Sequence, residues 1–109
     1  MELYKQYIAE RENAHLFYND IGFITWEYGS NSIYIIDIFI IPSERQSGKG
    51  KELEQVVLNE AKLRGYKTII CSCCTDTNNW QTSLQILKKV GYEEMMRETN
   101  MIWLFKELK

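Results

Sequence analysis

Asp37-Ile38-Phe39-Ile40-Ile41-Pro42-Ser43-Glu44-Arg45-Gln46-Ser47-Gly48-Lys49-Gly50-Lys51-Glu52-Leu53 is the stretch from which the fold follows. It reads as a buried strand that runs into a proline, then a short polar loop with glycines, then a helix. The first turn of a helix carries backbone N–H groups with no intrahelical acceptor, and its dipole places partial positive charge there. Gly48 and Gly50 lack a Cβ, so an anion can come close to the backbone. Arg45, Lys49 and Lys51 add cationic side chains to the same corner. These features describe a phosphate cradle of the strand–loop–helix kind. Neither of two better-known glycine loops fits, since G-x-G-x-x-G and G-x-x-x-x-G-K-[ST] are both absent.

On the helical side of the loop, Leu53, Val56, Val57 and Ala61 recur at i, i+3, i+4 and i+8 and share one face. Glu52, Glu54, Lys62 and Arg64 are expected on the solvated side, and Gly65 as the C-terminal cap. Tyr66 to Cys73 then forms a strand parallel to Ile33–Ile41, which makes a right-handed crossover. Ile33–Ile41 itself is expected to be central and covered on both faces. Before it, Gly22 to Tyr28 is rich in aromatic and β-branched residues, and Gly29-Ser30-Asn31-Ser32 closes a hairpin. His15 to Tyr18 is an earlier apolar segment, Leu3 to Ala9 a candidate first strand, and Glu10 to Asn13 a turn. After the crossover, Thr75 to Asn79 caps a second helix that carries Trp80, Leu84, Leu87 and Val90 and stops at Gly91. Tyr92 to Thr99 and Met101 to Leu108 are the last strands. The expectation is a single domain over residues 1–109, of α/β class with a mixed α+β sheet, two main helices and an abbreviated N-terminal region.

The 109 residues leave no room for a second domain. A formal net charge of −2 argues against a general nucleic-acid coat, which needs a basic surface. It is compatible with an acidic face that attracts a basic peptide or amine. The start Met1-Glu2-Leu3-Tyr4-Lys5-Gln6 lacks a basic segment followed by an apolar run, and the apolar run around Ile33–Ile41 is too short for a bilayer. The three cysteines crowd into Cys71-Ser72-Cys73-Cys74, which is not a disulfide framework. A cytoplasmic protein with no membrane association is expected.

Ile40-x-Pro42 followed by Arg45-x-x-Gly48-x-Gly50 resembles motif A of the GNAT N-acetyltransferase family, V-x-P-x-x-[QR]-x-x-G-x-[GA]. The order of elements is similar to the GNAT fold from its second strand onward, over roughly residues 14 to 105. The later pattern N-x-x-A-x-x-x-Y-x-x-x-G-F is matched in part. Ser83 takes the alanine position and Gly91-Tyr92 the glycine–aromatic pair, while Asn79 lies beside the asparagine position, which holds Trp80. The tyrosine that protonates the departing thiolate in many members is here Leu87. Few residues separate the first two candidate strands, so the acceptor cleft is expected to be open and suited to a protein or peptide side chain.

The resemblance implies an acetyl-CoA-dependent N-acetyltransferase, a small and compact member like those encoded by phages. It would move an acetyl group directly, in a ternary complex, to a primary amine such as a protein or peptide lysine. An inactive GNAT-like domain serving as a partner-binding adaptor or inhibitor is the alternative, and a homodimer is possible. Carried over by position, Phe39, Ile40 and Ile41 would hold the thioester arm through main chain. Arg45, Gln46, Ser47, Gly48, Lys49 and Gly50 would hold the pyrophosphate, and Asn79 would contact the cofactor. Asp37, an acid inside an apolar strand, must reach the cleft or find a partner, because a buried unpaired carboxylate is costly. It is the candidate catalytic base, and Glu10, Glu12 and Glu27 could reach the same cleft.

No metal is expected, since Cys71 and Cys73 share a strand face while Cys74 points away, and His15 is the lone histidine. The cysteines are expected as small buried thiols and His15 as a packing residue. Trp80 could stack on the cofactor or pin its helix. Trp26, Tyr28 and Trp103 could belong to the core or to an exposed aromatic patch.

Overall fold

The computed structural model describes residue 3 and residues 14–45 and 48–108. Six strands and two helices follow in order: β1 (Ala14–Asn19), β2 (Gly22–Tyr28), β3 (Ile33–Ile40), α1 (Lys49–Leu63), β4 (Thr68–Cys74), α2 (Trp80–Lys89), β5 (Glu93–Arg97) and β6 (Met101–Glu107). A short 3-10 turn at Pro42–Glu44 links β3 to α1, with the proline at a position that needs no N–H. The strands form one sheet in the order β1-β2-β3-β4-β6-β5. Only β3 and β4 are parallel neighbours; every other pair is antiparallel. The expected α/β fold with a mixed sheet and two main helices is the one observed. Of the expected first strand only Leu3 is described, and it is exposed and helical, in keeping with leucine's helix propensity. The rest of that strand and the turn at Glu10–Asn13 lie outside the described residues.

Register fixes which face each strand residue takes. Ile33, Ile69, Cys71, Cys73, Ile102 and Leu104 point to one side, and there they form a single buried cluster with Leu53, Val57 and Ala61 of α1 and Leu84 of α2. α1 lies over β2 and β3, and α2 over β4, on this same face. Each helix ends in a Schellman pair of hydrogen bonds. Tyr66 N–H donates to Ala61 O (2.8 Å) and Gly65 N–H to Lys62 O (3.2 Å); Tyr92 N–H donates to Leu87 O (3.0 Å) and Gly91 N–H to Lys88 O (3.1 Å). The glycine stops foreseen at Gly65 and Gly91 are therefore in place.

Two expectations need correction. Glu54 is buried, not solvated: its Oε2 accepts from Lys106 Nζ at 3.1 Å, at 8% residue exposure. The reason lies in the helix geometry. Glu54 also stands at i−3 and i−7 to Val57 and Ala61, on the margin of the apolar stripe, and Lys106 of β6 reaches it from the sheet. The second correction concerns β3, which is not covered on both faces along its length. Ile38 and Phe39 are exposed (47% and 42%), because β3 loses its β4 neighbour before it ends.

A cluster at the far end of β2 joins the hairpin to the end of α1. The His15 ring stacks on Trp26 (5.8 Å) and meets Tyr28 edge-on (4.7 Å), and Tyr28 stacks on Tyr66 (5.6 Å). The Arg64 guanidinium lies 4.2 Å above the Tyr28 ring, and Tyr28 Oη donates to Glu60 Oε2 at 3.2 Å. His15 and Trp26 are thus packing residues.

Gly22 sits where β2 meets the end of β3, and a Cβ there would lie 1.9 Å from the Phe39 carbonyl oxygen. Gly22→Ala must push these two strands apart and is expected to lower stability by about 1–3 kcal/mol, read as a fall in the urea midpoint. Burial first, and then the Arg64 charge, lower the pKa of His15 from its ordinary value of 6.5. The stabilisation from the neutral ring is therefore complete above 6.5 and declines as pH falls through that value towards the lower folded one. His15→Phe, which keeps an aromatic ring, should flatten this part of the stability–pH curve, measured by urea unfolding at pH 7.5 and 5.5.

Candidate active site

β3 and β4 share only two register pairs, Ile33↔Ile69 and Tyr34↔Ile70. Beyond them β3 continues to Ile40 and β4 to Cys74 without pairing, so the centre of the sheet is split. The split begins beside a β-bulge. Thr25 pairs with Asp37 but Trp26 pairs with Ile35, which leaves Ile36 as an extra residue on β3. Such a bulge bends the strand that carries it. The fully buried Thr25 steadies the bend, since its Oγ1 accepts from the Asp37 N–H at 3.1 Å.

A cleft of about 290 Å³ occupies the split, lined by Glu27, Tyr34, Ile35, Ile36, Ile70, Cys71, Ser72 and Trp103. Ile35 and Cys71 come from the helix face, whereas Glu27, Tyr34, Ile70, Ser72 and Trp103 belong to the opposite face. Most of its lining thus lies on the face opposite the helices. At its lip, on β3, the exposed Asp37 shares the face of Thr25 and Glu27.

Past the end of β3 the chain enters the glycine loop. Ile41 N–H donates to Ile21 O (2.8 Å), Glu44 N–H to Ile41 O (3.0 Å) and Arg45 Nε to Ile40 O (2.8 Å). The Arg45 guanidinium also lies 5.5 Å over the Phe39 ring, which stacks on Phe23 at 5.8 Å. These contacts fasten the loop's entry to the end of β3. Gly48 then takes a left-handed backbone (φ 82°) as the N-cap of α1, with no side-chain cap bond. Glu52 N–H closes the first helical turn on Gly48 O at 3.4 Å, so the amides of Lys49, Gly50 and Lys51 have no intrahelical acceptor. A Cβ at Gly48 or Gly50 would meet nothing within 4 Å, so the space over those amides is open. Lys49 adds charge there, though its Nζ is shared with Glu52 Oε2 at 3.6 Å. Gln46 and Ser47 lie outside the described residues. Open amides at a helix N-terminus, with cationic side chains beside them, are chemically suited to an anion.

The remaining candidates fall at or away from this centre. Asn79 takes a left-handed backbone (φ 62°) at the N-cap of α2, is exposed, and does not line the cleft. Trp80 packs against the core and its carbonyl accepts from Cys73 Sγ at 3.5 Å, so this tryptophan pins its helix. Leu87 packs against the same core and offers no proton. Cys71 reaches the cleft, but burial above all, and then the Glu54 charge, push its thiol up to about 12. That is a thiol held protonated, not a nucleophile. Tyr34 and Ser72 line the cleft without having been singled out in the sequence; their sign was a polar group on the face that alternates with the buried one.

The model of the Acetyltransferase (GNAT) family matches residues 3–97. Among solved structures, a GNAT-family protein from Desulfovibrio desulfuricans superposes with TM-score 0.79 at 15% identity, covering 97% of this chain and 76% of the other. A GNAT family acetyltransferase from Elizabethkingia anophelis with acetyl-CoA bound gives 0.74 at 22% identity, over 98% and 82%. PaiA N-acetyltransferase from Thermoplasma acidophilum in complex with coenzyme A gives 0.76 at 15%, over 88% and 62%. At these identities the superpositions establish a shared fold. The match over 3–97, with the split sheet and the glycine loop in register, establishes more: the chain belongs to the acetyltransferase (GNAT) family.

Proposed function

We propose that the protein is an N-acetyltransferase that uses acetyl-CoA and transfers the acetyl group directly to a primary amine, such as the side chain of a peptide lysine. The observation that carries this reading is the junction of two features. An open helix N-terminus over Lys49 to Lys51, with cationic side chains beside it, follows directly on β3, and β3 is the strand that parts from β4 and leaves the cleft. Acetyl-CoA fits both parts chemically, with a diphosphate for the loop amides and a long amide-bearing arm for a strand edge. When bound it supplies an activated acetyl thioester.

The chain's own groups divide the work. Arg45, Gln46, Ser47, Gly48, Lys49 and Gly50 hold the diphosphate, mainly through backbone N–H groups. Ile40, with Phe39 beside it, offers main chain to the arm, whereas Ile41 already has its N–H on Ile21 O and its carbonyl on Glu44 N–H. Asn79, at the mouth of α2, is a more remote contact for the cofactor. Asp37 stands at the solvent-exposed lip on the face opposite the helices, where it can take the ammonium proton directly or through water. With Leu87 in place of a tyrosine, no side chain at that position can return a proton to a thiolate, and water or Ser72 must serve. That same leucine supports a second reading, a GNAT domain that binds its cofactor and a partner without turnover.

Calorimetric titration of acetyl-CoA is the test. Micromolar binding is expected for the natural chain, weakened at least about tenfold by Arg45→Ala or Gly48→Trp. No binding by the natural chain would end the enzyme reading. With a working acceptor, initial-rate plots should intersect as a ternary complex requires, and Cys71→Ala should leave kcat unchanged. Parallel lines would instead signal an acyl-enzyme.

A further inference from the structure

Two polar groups of the cleft have no partner among the described residues, and they come from strands on either side of the split. Glu27 of β2 is half-buried, and none of the described residues forms an ion pair or side-chain hydrogen bond with its carboxylate. By contrast, among the described residues Glu54 is matched by Lys106, and Glu60 by Tyr28 and Arg64. At the far wall, Trp103 of β6 carries a fully buried indole Nε1–H with no acceptor. An unsatisfied buried donor is costly and marks a place where a ligand atom can complete the structure. Between the two lie Tyr34, Ile36 and Ile70, an apolar floor with one aromatic ring. Tyr34 is held in place from behind: a Cβ on Gly29 would come within 2.8 Å of its ring.

We propose that this cleft binds the acceptor as an ammonium ion carried on an amide-bearing chain, with Glu27 as counter-ion and the Trp103 N–H as donor to an amide carbonyl. Resting on the acetyl-transfer reading, this assigns the acceptor's chemistry to residues. The strands β2 and β6 are three strand spacings apart, roughly 14 Å. A simple short amine cannot touch both ends; a lysine side chain, with its ammonium several carbons from the peptide carbonyl, can. The apolar floor takes the methylene stem, and the Tyr34 ring adds favourable contact with the cation. Glu27 here is a positioning residue: it gathers and orients the ammonium ion, and the proton leaves to another base.

The test uses the full chain, labelled with nitrogen-15, and follows the Trp103 indole N–H signal, assigned with Trp103→Phe. Nα-acetyl-lysine amide should move that signal in a saturable way, and its neutral isostere, the N-acetyl amide of 2-aminoheptanoic acid, should bind at least about tenfold more weakly. Glu27→Gln should weaken the lysine probe by a similar factor and remove the difference between the two probes, with acetyl-CoA affinity unchanged. An equal response to both probes in the natural chain, an unmoved Trp103 signal, or full lysine-probe affinity in Glu27→Gln overturns the assignment. The two readings fail separately. Acetyl-CoA binding without the lysine response removes the cleft assignment alone, and the lysine response without acetyl-CoA binding removes the cofactor reading alone.

Discussion

One interrupted ladder governs this molecule. Parallel neighbours normally exchange hydrogen bonds along their shared length, but β3 and β4 do so at two register pairs and then part. The parting is built in by the extra residue at Ile36, which bends β3 away, and by the Thr25 hydroxyl, which holds the bent backbone at Asp37. Unpaired strand backbone is expensive in an interior, and it persists only where something else can satisfy it. The cleft occupies that gap, and Asp37 stands on β3 one residue past the bulge.

The frame around the gap is correspondingly stiff. On the helix face a continuous apolar cluster joins both helices to all the inner strands, and within it the Glu54–Lys106 pair is kept mostly from water. Lys106 Nζ also sits 4.7 Å over the Tyr92 ring, while burial pushes the Tyr92 hydroxyl well above its ordinary range. A pair so placed does more to fix which helix meets which strand than to add net stability, because desolvating two charges offsets most of their attraction. The opposite face has no such helix among the described residues, and it is there that the cleft opens.

Much of this was legible in the residues. The strand–proline–loop–glycine–helix order located the start of α1 at Gly48 and Lys49, the 3.6-residue spacing of Leu53, Val57 and Ala61 located the buried stripe, and the pair Gly65 and Gly91 located both helix ends. What stayed hidden were features that depend on a partner across space. Glu54 looks solvated until Lys106 is seen to face it from β6, and β3 looks doubly covered until the bulge at Ile36 appears. A bulge is one residue of slippage between two strands and leaves no mark in the composition of either. Tyr34 and Ser72 escaped notice for the same reason, and Trp103 stayed undecided between core and surface patch, since the three come together only when three strands are placed side by side.

The tight turn between β1 and β2 has a bearing on the glycine loop that chain distance conceals. Asn19 Oδ1 accepts from the N–H groups of both Ile21 and Gly22, Ile21 O accepts from Ile41 N–H, and Gly22 lies flush under the Phe39 carbonyl. The turn thus acts as a splint across the root of the loop, setting the angle at which β3 delivers the chain into α1. Sequence drift in that turn would be transmitted directly to the start of α1, although no atom of the turn touches that helix's first residues.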